Sequence, residues 1–263
     1  MKLTKYHIDA FTDKLFGGNP ACVIPLNDWL PDELLSNITK ENNLAETAFF
    51  VRKADRFQIR WFTPEIEMDL CGHATLATAH VIKKHLNYPL DKILFTSASG
   101  DLGVSFDDEK YVLDFPARMP LPASLPSTIE DSLNIQALEV FQARDYVLLY
   151  ETEDDILALA PDENKLKAID LGNGGIVCTA RGSECDFVSR FFTPGASIFE
   201  DPVTGSAHCS LIPFWSEKLA KQELLAMQLS DRKGVLYCAN SEDRVKIAGD
   251  AVSYSIGEIY LQE

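Results

Sequence analysis

Residues 60–64 read RWFTP, and residues 190–194 read RFFTP. The two copies lie about half a chain length apart, and a phenylalanine comes three residues before the arginine of each, at Phe57 and Phe187. Both stretches are rich in aromatic residues, which favours β-strands. The repeated RxFTP motif therefore predicts that one strand-based unit occurs twice.

The similarity continues downstream of both copies. A helix-like segment begins at Gly72 in the first half and at Gly205 in the second. Further on, a glycine opens a short strand at Gly100 and again at Gly234, and each strand leads into an acidic turn typical of a hairpin. We therefore predict a duplicated domain, with two related halves facing each other across a cleft, which is a favoured place for a ligand.

Residues 115–133 connect the two halves. Their proline content predicts an ordered but non-helical connector. We place the boundary near Arg118, which gives an N-terminal domain over residues 1–118 and a C-terminal domain over residues 119–263. This division is compatible with a return of the C-terminal strand to the first domain.

Local patterns predict further elements in each half. Helices are expected over Pro31–Asn42, whose first turn is acidic, and over Glu153–Leu159. Strands are expected where aromatic and β-branched residues cluster, namely Thr47–Arg52, Gln58–Phe62, Tyr146–Tyr150, Ile176–Thr179 and Phe187–Phe192.

The overall charge excludes several classes of partner. The net charge is −16, which repels phosphate backbones and anionic lipid and argues against nucleic-acid or membrane binding. The first residues, MKLTKYHIDAF, lack the apolar core of a secretion signal. The six cysteines form no CxxC pair, so we expect reduced thiols in a cytoplasmic protein.

The two predicted helix starts have the same design. Each puts a glycine before a polar residue, as Gly72-His73 and as Gly205-Ser206. A helix N-terminus carries partial positive charge and free N–H groups, so it can hold a carboxylate or phosphate. We predict that both starts point into the cleft and hold a small anionic substrate. For either start alone, a plain turn glycine with Ser206 as a helix cap is the competing interpretation.

Several residues near these starts could carry chemistry. Glu46 is the lone charge in the apolar stretch at residues 43–50, and a buried carboxyl group suits general acid–base catalysis. Asp201 precedes the second helix start, and Cys71 and His73 flank Gly72 in the first. A solvent-facing Glu46 at a strand start is the alternative that the residues leave open.

Two other kinds of site are only weakly indicated. A metal site could use His73 and His80 with a nearby cysteine, but there is no HExxH motif and no paired CxxC. A serine hydrolase would need a GxSxG elbow, which Ser206 lacks. We therefore expect no metal and no nucleophilic serine.

Four segments together resemble a known family. They are GGNPACV (17–23), NLAETAFF (43–50), RWFTPEIEMDLCGHATLATAH (60–80) and DPVTGSAH (201–208). In this order they are similar to the PhzF-like proteins of phenazine biosynthesis, which are relatives of diaminopimelate epimerase. With the terminal strands, the resemblance covers essentially the whole chain, and it is specific only as a set.

The resemblance implies an α+β fold of the diaminopimelate epimerase type. Two pseudo-symmetric domains each wrap a curled, mostly antiparallel sheet around a central helix, and the active site lies between them. It also implies a cofactor-independent isomerase. In the best-understood PhzF-like enzymes a glutamate moves a proton between carbons of a dihydro-hydroxyanthranilate; the matching residue here is Glu46, with His73 and Asp201 as the other catalytic residues.

The same resemblance implies the groups that bind substrate. Gly72 and Gly205 match glycines whose neighbouring amides hold the substrate carboxylate, Ser206 assists them, and Asn19 matches a substrate-side asparagine of the wider superfamily. Relatives of this kind are often homodimers, so a homodimer is the expected assembly.

One departure from the epimerases bears on mechanism. Those relatives use two opposed cysteines, and Cys71 lies about where one would be, but the segment DPVTG at 201–205 has no thiol for the second. A two-thiol mechanism is therefore disfavoured. A racemase that pairs Cys71 with a different group, and a non-catalytic small-molecule-binding protein, stay open as alternatives, and the substrate is not readable from the sequence.

Overall fold

Both RxFTP arginines lie on strands, as the aromatic pattern predicts. The computed structural model describes residues 1–172 and 174–262. The strands are, in chain order, β1 (Lys2–Ala10), β2 (Asn19–Leu26), β3 (Glu46–Lys53), β4 (Arg56–Phe62), β5 (Glu67–Met68), β6 (Lys92–Ser97), β7 (Gly100–Asp107), β8 (Lys110–Pro116), β9 (Leu121–Pro122), β10 (Glu139–Gln142), β11 (Tyr146–Leu149), β12 (Ile176–Arg181), β13 (Phe187–Phe192), β14 (Glu200–Asp201), β15 (Glu223–Gln228), β16 (Gly234–Ser241), β17 (Arg244–Gly249) and β18 (Ala251–Tyr260).

The helices complete the set of elements. They are α1 (Asp32–Asn42), α2 (Gly72–His80), α3 (Ser127–Glu130), α4 (Glu153–Ala158), α5 (Glu163–Leu166) and α6 (Gly205–Leu219). A π-helical turn, Val81–His85, continues α2. Among the described residues, no helix is long and apolar enough to cross a membrane.

The chain divides into two compact units. Met1–Asp114 and the C-terminal stretch from Ala248 form the first unit, and Phe115–Ile247 form the second. Strands and helices are mixed in both, so the predicted α+β class is confirmed.

The first unit is a mixed sheet with a helix packed on it. Strand β2 pairs antiparallel with β1 and parallel with β3. Strand β4 pairs antiparallel with β3 and β5 and parallel with β6. Strands β6, β7 and β8 then form antiparallel pairs, and β18 pairs with β1.

The second unit repeats these pairings in the same order. Strand β11 pairs antiparallel with β10 and parallel with β12. Strand β13 pairs antiparallel with β12 and β14 and parallel with β15, which is antiparallel to β16. Helix α4 takes the place of α1, and α6 takes the place of α2. The internal duplication that the RxFTP phrase predicts is therefore present in the fold.

The arginine of each RxFTP copy explains why the phrase recurs. Arg60 forms a bidentate pair with Glu67, at 2.6 Å to each oxygen. Arg190 forms the matching pair with Glu200, at 2.7 Å to each oxygen. In both copies the guanidinium also lies 5.0 Å from the ring of the phenylalanine two residues later. The arginine on β4 thus binds the acid on β5, and the arginine on β13 binds the acid on β14. In each copy this ion pair links a long strand to the short strand that precedes the central helix.

The central helices are core elements of their units. Every residue of α2 is buried, and the helix packs on β1, β2, β3 and β18. Helix α6 packs on β15 and β16, and most of its residues are buried. Because both helices are buried in this way, the side chains at their N-termini are held by closely packed surroundings.

Most element predictions from the sequence are confirmed, and one is partly wrong. The predicted helices correspond to α1 and α4, and the predicted strands correspond to β3, β4, β11, β12 and β13. The connector at 115–133 was predicted to be non-helical, but it contains α3. Pro126 precedes that helix as its N-cap, a position at which the missing N–H of proline costs nothing, so the proline begins the helix instead of preventing it.

A buried histidine in α6 makes stability depend on pH. His208 is fully buried, and its Nδ1 donates to the carbonyl of Thr204 at 2.8 Å. Burial lowers the pKa of His208 from 6.5 to about 4, and the hydrogen bond to Thr204 opposes this shift only in part. The unfolded chain therefore binds more protons than the native protein between these values, so stability falls as the pH drops from 6.5 towards 4.

We expect the protonation of His208 to lower the free energy of unfolding by about 3 kcal/mol between pH 6.5 and pH 4. Urea unfolding at a series of pH values from 7 to 4 measures it. The His208→Asn variant, which keeps a donor for Thr204 but cannot be protonated, should show a shallower decline than the wild type. Parallel curves for the two proteins would contradict the assignment.

Candidate active site

Glu46 and His73, predicted from separate motifs, are in contact. Glu46 is the first residue of β3, and His73 is the second residue of α2. The Glu46 Oε2 atom lies 3.0 Å from His73 Nε2, and the two side chains are 15% and 4% exposed. Apart from this contact, neither atom has a hydrogen-bond partner among the described residues. The lone acid of the apolar stretch is thus mostly buried and paired with a histidine.

Asn19 holds the other side of the same ring. It is the first residue of β2, it is fully buried, and its Nδ2 lies 3.1 Å from His73 Nδ1. The preceding Gly18 has φ +61°, and a Cβ there would lie 2.1 Å from the carbonyl oxygen of Ala10. Only glycine fits at this position, which explains the glycine directly before Asn19 in the GGNP motif. Asn19 therefore orients His73 towards Glu46, and its expected contact with substrate stays a prediction.

Charge around the ring favours the protonated histidine. Burial lowers the pKa of His73, whereas its interactions with Cys71 and Glu46 raise it, and the net pKa lies well above its usual 6.5. The pKa of Cys71 is itself raised, by burial first and then by the charge of Glu46, so its thiol is neutral at pH 7. The Glu46 carboxylate is therefore the group that keeps the proton on His73.

Cys71 lies directly before α2 and beside the histidine. Its Sγ is 3.6 Å from His73 Nδ1, and its carbonyl accepts from Thr75 Oγ1 at 2.6 Å. Among the described residues no side chain caps α2. The N–H groups that begin with Gly72 therefore keep their capacity to bind an anion.

The Asp201 loop of the second unit is held by a glutamine that sequence reasoning missed. Asp201 ends β14, and its Oδ2 accepts from Thr204 Oγ1 at 2.5 Å. Gln228 Nε2 donates to the carbonyl of Asp201 at 2.7 Å, and Gln228 Oε1 accepts from the backbone N–H of Thr204 at 2.8 Å. Thr204, not Ser206, occupies the N-cap position of α6, so the interpretation of Ser206 as a cap is wrong.

Ser206 has a different partner. Its Oγ accepts from Arg144 at 2.9 Å, and Arg144 also pairs with the buried Asp145 at 3.1 Å. Asp145 in turn accepts from the backbone N–H of Gly175 at 2.9 Å. No side chain of the described part of the chain caps α6. The Gly205 start therefore presents uncapped N–H groups, a hydroxyl and a guanidinium together.

Comparison with known proteins now decides the family. The PhzC-PhzF profile, described as phenazine biosynthesis-like protein, matches residues 8–257. The chain belongs to this family. The resemblance carried by the four sequence motifs is thereby confirmed.

Two similar proteins match nearly the whole chain. An uncharacterized isomerase of Pseudomonas aeruginosa is 45% identical over 261 residues, which is 99% of this chain and 100% of the relative. The crystal structure of a PhzF-family protein from Enterococcus faecalis matches with a TM-score of 0.95 at 44% identity, covering 99% of this chain and 100% of the other.

A more distant similarity concerns the fold alone. A hydroxyproline epimerase from Agrobacterium vitis matches with a TM-score of 0.64 at 8% identity, covering 100% of this chain and 93% of the epimerase. The epimerase-like fold predicted from the sequence is therefore confirmed.

Three residues that contact the candidate site residues were not predicted from the sequence, and only one of them lies in a recognisable sequence motif. Thr204 lies inside the quoted DPVTGSAH motif, and threonine before a helix-opening glycine is a recognisable cap. Arg144 and Gln228 had no such signal, because each lies outside the motifs and reaches the site through the fold.

Proposed function

We propose that the protein is an isomerase that moves a proton between two carbons of a small carboxylate-bearing metabolite, with Glu46 as the acid–base group. The observation that carries this proposal is the buried contact between Glu46 Oε2 and His73 Nε2. The name of the Pseudomonas aeruginosa relative, an isomerase, supports the reaction class.

Each proton movement in this mechanism is assigned to the glutamate. Glu46 takes a proton from one carbon, and the electron pair of the broken C–H bond moves into the adjoining unsaturated system of the substrate. The same carboxyl group then returns the proton to a second carbon, so the reaction has no net oxidation. His73 holds Oε2 and leaves the other carboxyl oxygen for the substrate.

Carboxylate binding is assigned to the uncapped helix starts, one in each unit. The amides beside Gly72 are one set of donors for an anionic group, and the amides beside Gly205 with the hydroxyl of Ser206 are a second set. Asp201 accepts from an amine or hydroxyl of the substrate. The N–H groups of the helix starts supply the positive potential that an otherwise acidic protein needs to hold an anion, and the reaction uses no cofactor or metal.

A search for exchange into carbon-bound positions tests the proposal and identifies the substrate class. The protein is incubated in D₂O with a panel of small carboxylates, including dihydro-hydroxyanthranilate and several amino acids, and the products are followed by NMR. We expect isomerisation with deuterium uptake for at least one cyclic or unsaturated carboxylate. Binding of panel members by thermal shift, with no exchange in any of them, would favour the non-catalytic binding protein.

A racemase that uses Cys71 is the second candidate, because the thiol lies next to His73. Its raised pKa makes Cys71 a poor base at neutral pH. We therefore expect the Cys71→Ala variant to retain most of the exchange activity of the wild type in the same NMR assay. Loss of exchange in this variant, with the fold intact by circular dichroism, would move the acid–base role from Glu46 to Cys71.

A further inference from the structure

Three different metal-binding side chains converge at the start of α2. Glu46, Cys71 and His73 each offer one ligand atom, and these atoms all lie within 4.8 Å of one another. Carboxylate, thiolate and imidazole are the three ligand types that Zn²⁺ takes in proteins, and a site with three protein ligands keeps a fourth position open. The proposed proton transfer gives Cys71 no task, so the thiol is the member of this cluster that the reaction leaves unexplained.

The cluster has the burial and the supporting contacts of a binding site. His73 Nε2 and Glu46 Oε2 are buried, and beyond their mutual contact they have no hydrogen-bond partner among the described residues. Asn19 contacts the opposite ring nitrogen of His73 at 3.1 Å. A polar group in that position fixes the ring orientation of a metal-bound histidine.

Only a modest rearrangement separates this cluster from a closed metal site. With bonds of about 2.0 to 2.3 Å to Zn²⁺, the ligand atoms of a tetrahedral site lie roughly 3.3 to 3.8 Å apart. The Glu46–His73 contact is already 3.0 Å. Cys71 Sγ lies on the Nδ1 side of the ring at 3.6 Å, so its side chain has to turn towards Nε2.

We propose that Glu46, Cys71 and His73 form an inhibitory site for a thiol-binding divalent cation such as Zn²⁺. On binding, the Cys71 thiol and the imidazolium of His73 each lose one proton to solvent, and the thiolate and the freed Nε2 bond to the metal. The metal also takes the Glu46 oxygen and His73 Nε2, so Glu46 can no longer carry a proton. The cation site does not depend on the proposed isomerase activity; only its inhibitory effect rests on that function.

Cobalt titration provides the direct test, because Co²⁺ takes the place of Zn²⁺ and its thiolate complexes are coloured. The reduced full-length protein is titrated anaerobically with Co²⁺ and followed by absorption. We expect one equivalent to bind with a thiolate-to-cobalt charge-transfer band. The band should vanish in Cys71→Ser and persist in Cys185→Ser, which removes a half-buried thiol elsewhere in the chain.

A second variant covers the case in which Cys71→Ser fails to fold. Glu46→Gln removes a ligand from a partly exposed side chain, and it should weaken Co²⁺ binding by more than the roughly 10- to 100-fold that loss of an outer-shell partner costs. The inference is overturned if the wild type gives no thiolate band, if the band survives Cys71→Ser, if it disappears in Cys185→Ser, or if Glu46→Gln binds Co²⁺ as tightly as the wild type.

The activity assay separates this inference from the proposed function. One equivalent of Zn²⁺ should stop exchange in the NMR assay, and a chelator should restore it. A Cys71-dependent cobalt band in a protein that exchanges no substrate would support the cation site and count against the isomerase. Exchange without any cobalt–thiolate band would support the isomerase and remove the cation site.

Discussion

The Glu46→Gln variant is expected to lose roughly 100- to 10,000-fold in turnover, which is the usual contribution of a positioned acid–base group. Glutamine has nearly the same shape, and its amide oxygen can still accept from His73 Nε2, but it can neither take nor return a proton. The loss should therefore appear in kcat, with little change in substrate affinity. Steady-state kinetics on the substrate found in the exchange screen, together with a direct binding measurement, give both quantities.

Glu41→Gln is the matched control for this experiment. It makes the same chemical change at an exposed position on α1, a few residues earlier in the chain. We expect wild-type kinetics from it. A Glu46→Gln variant that keeps wild-type turnover would remove Glu46 from the chemistry, and one that mainly loses affinity would make it a binding residue.

The Arg190→Met variant is expected to lose about 3 kcal/mol or more of unfolding free energy, as is typical when one partner of a buried ion pair is removed. Arg190 is 14% exposed and its partner Glu200 is 21% exposed. The guanidinium also donates to the carbonyls of Ile156 and Leu159, at 3.1 and 2.7 Å. The substitution leaves a carboxylate and two carbonyl groups without their donor. Urea unfolding measures the loss.

The other copy of the motif supplies the comparison. Arg60 makes the same bidentate pair, but its side chain is 23% exposed and that of Glu67 is 38% exposed. Exposure weakens an ion pair, so Arg60→Met should cost only about 1 kcal/mol. If Arg60→Met lost as much unfolding free energy as Arg190→Met, or more, burial and the carbonyl contacts would not determine how much each arginine contributes to stability.

The duplicated fold was predictable because its landmarks are local. The RxFTP phrase combines a strand pattern with an arginine that binds an acid a few residues later, and the helix starts at Gly72 and Gly205 are marked by glycine and small residues. Such signals survive in a single sequence. The helix α3 is not predicted by the proline content of the connector, because proline interrupts helices, although it also begins them, as Pro126 does here.

The site was predictable only in part, for a physical reason. Glu46 stood out because a charge in an apolar stretch needs a partner, but its contact with His73 depends on where α2 packs on β3. Arg144 binds Ser206 across 62 positions of the chain, and Gln228 reaches Thr204 across 24. No local sequence pattern around Arg144 or Gln228 predicts these contacts, so they can be identified only from the folded structure.

Deuterium incorporation by the wild type and by Glu46→Gln, measured side by side by NMR in D₂O, tests the central claim most directly. The account predicts that the wild type isomerises a small carboxylate with deuterium entering at carbon, and that Glu46→Gln, although it still binds the compound, does neither at a comparable rate. Equal isomerisation and equal incorporation by the two proteins would contradict the assignment of proton transfer to Glu46.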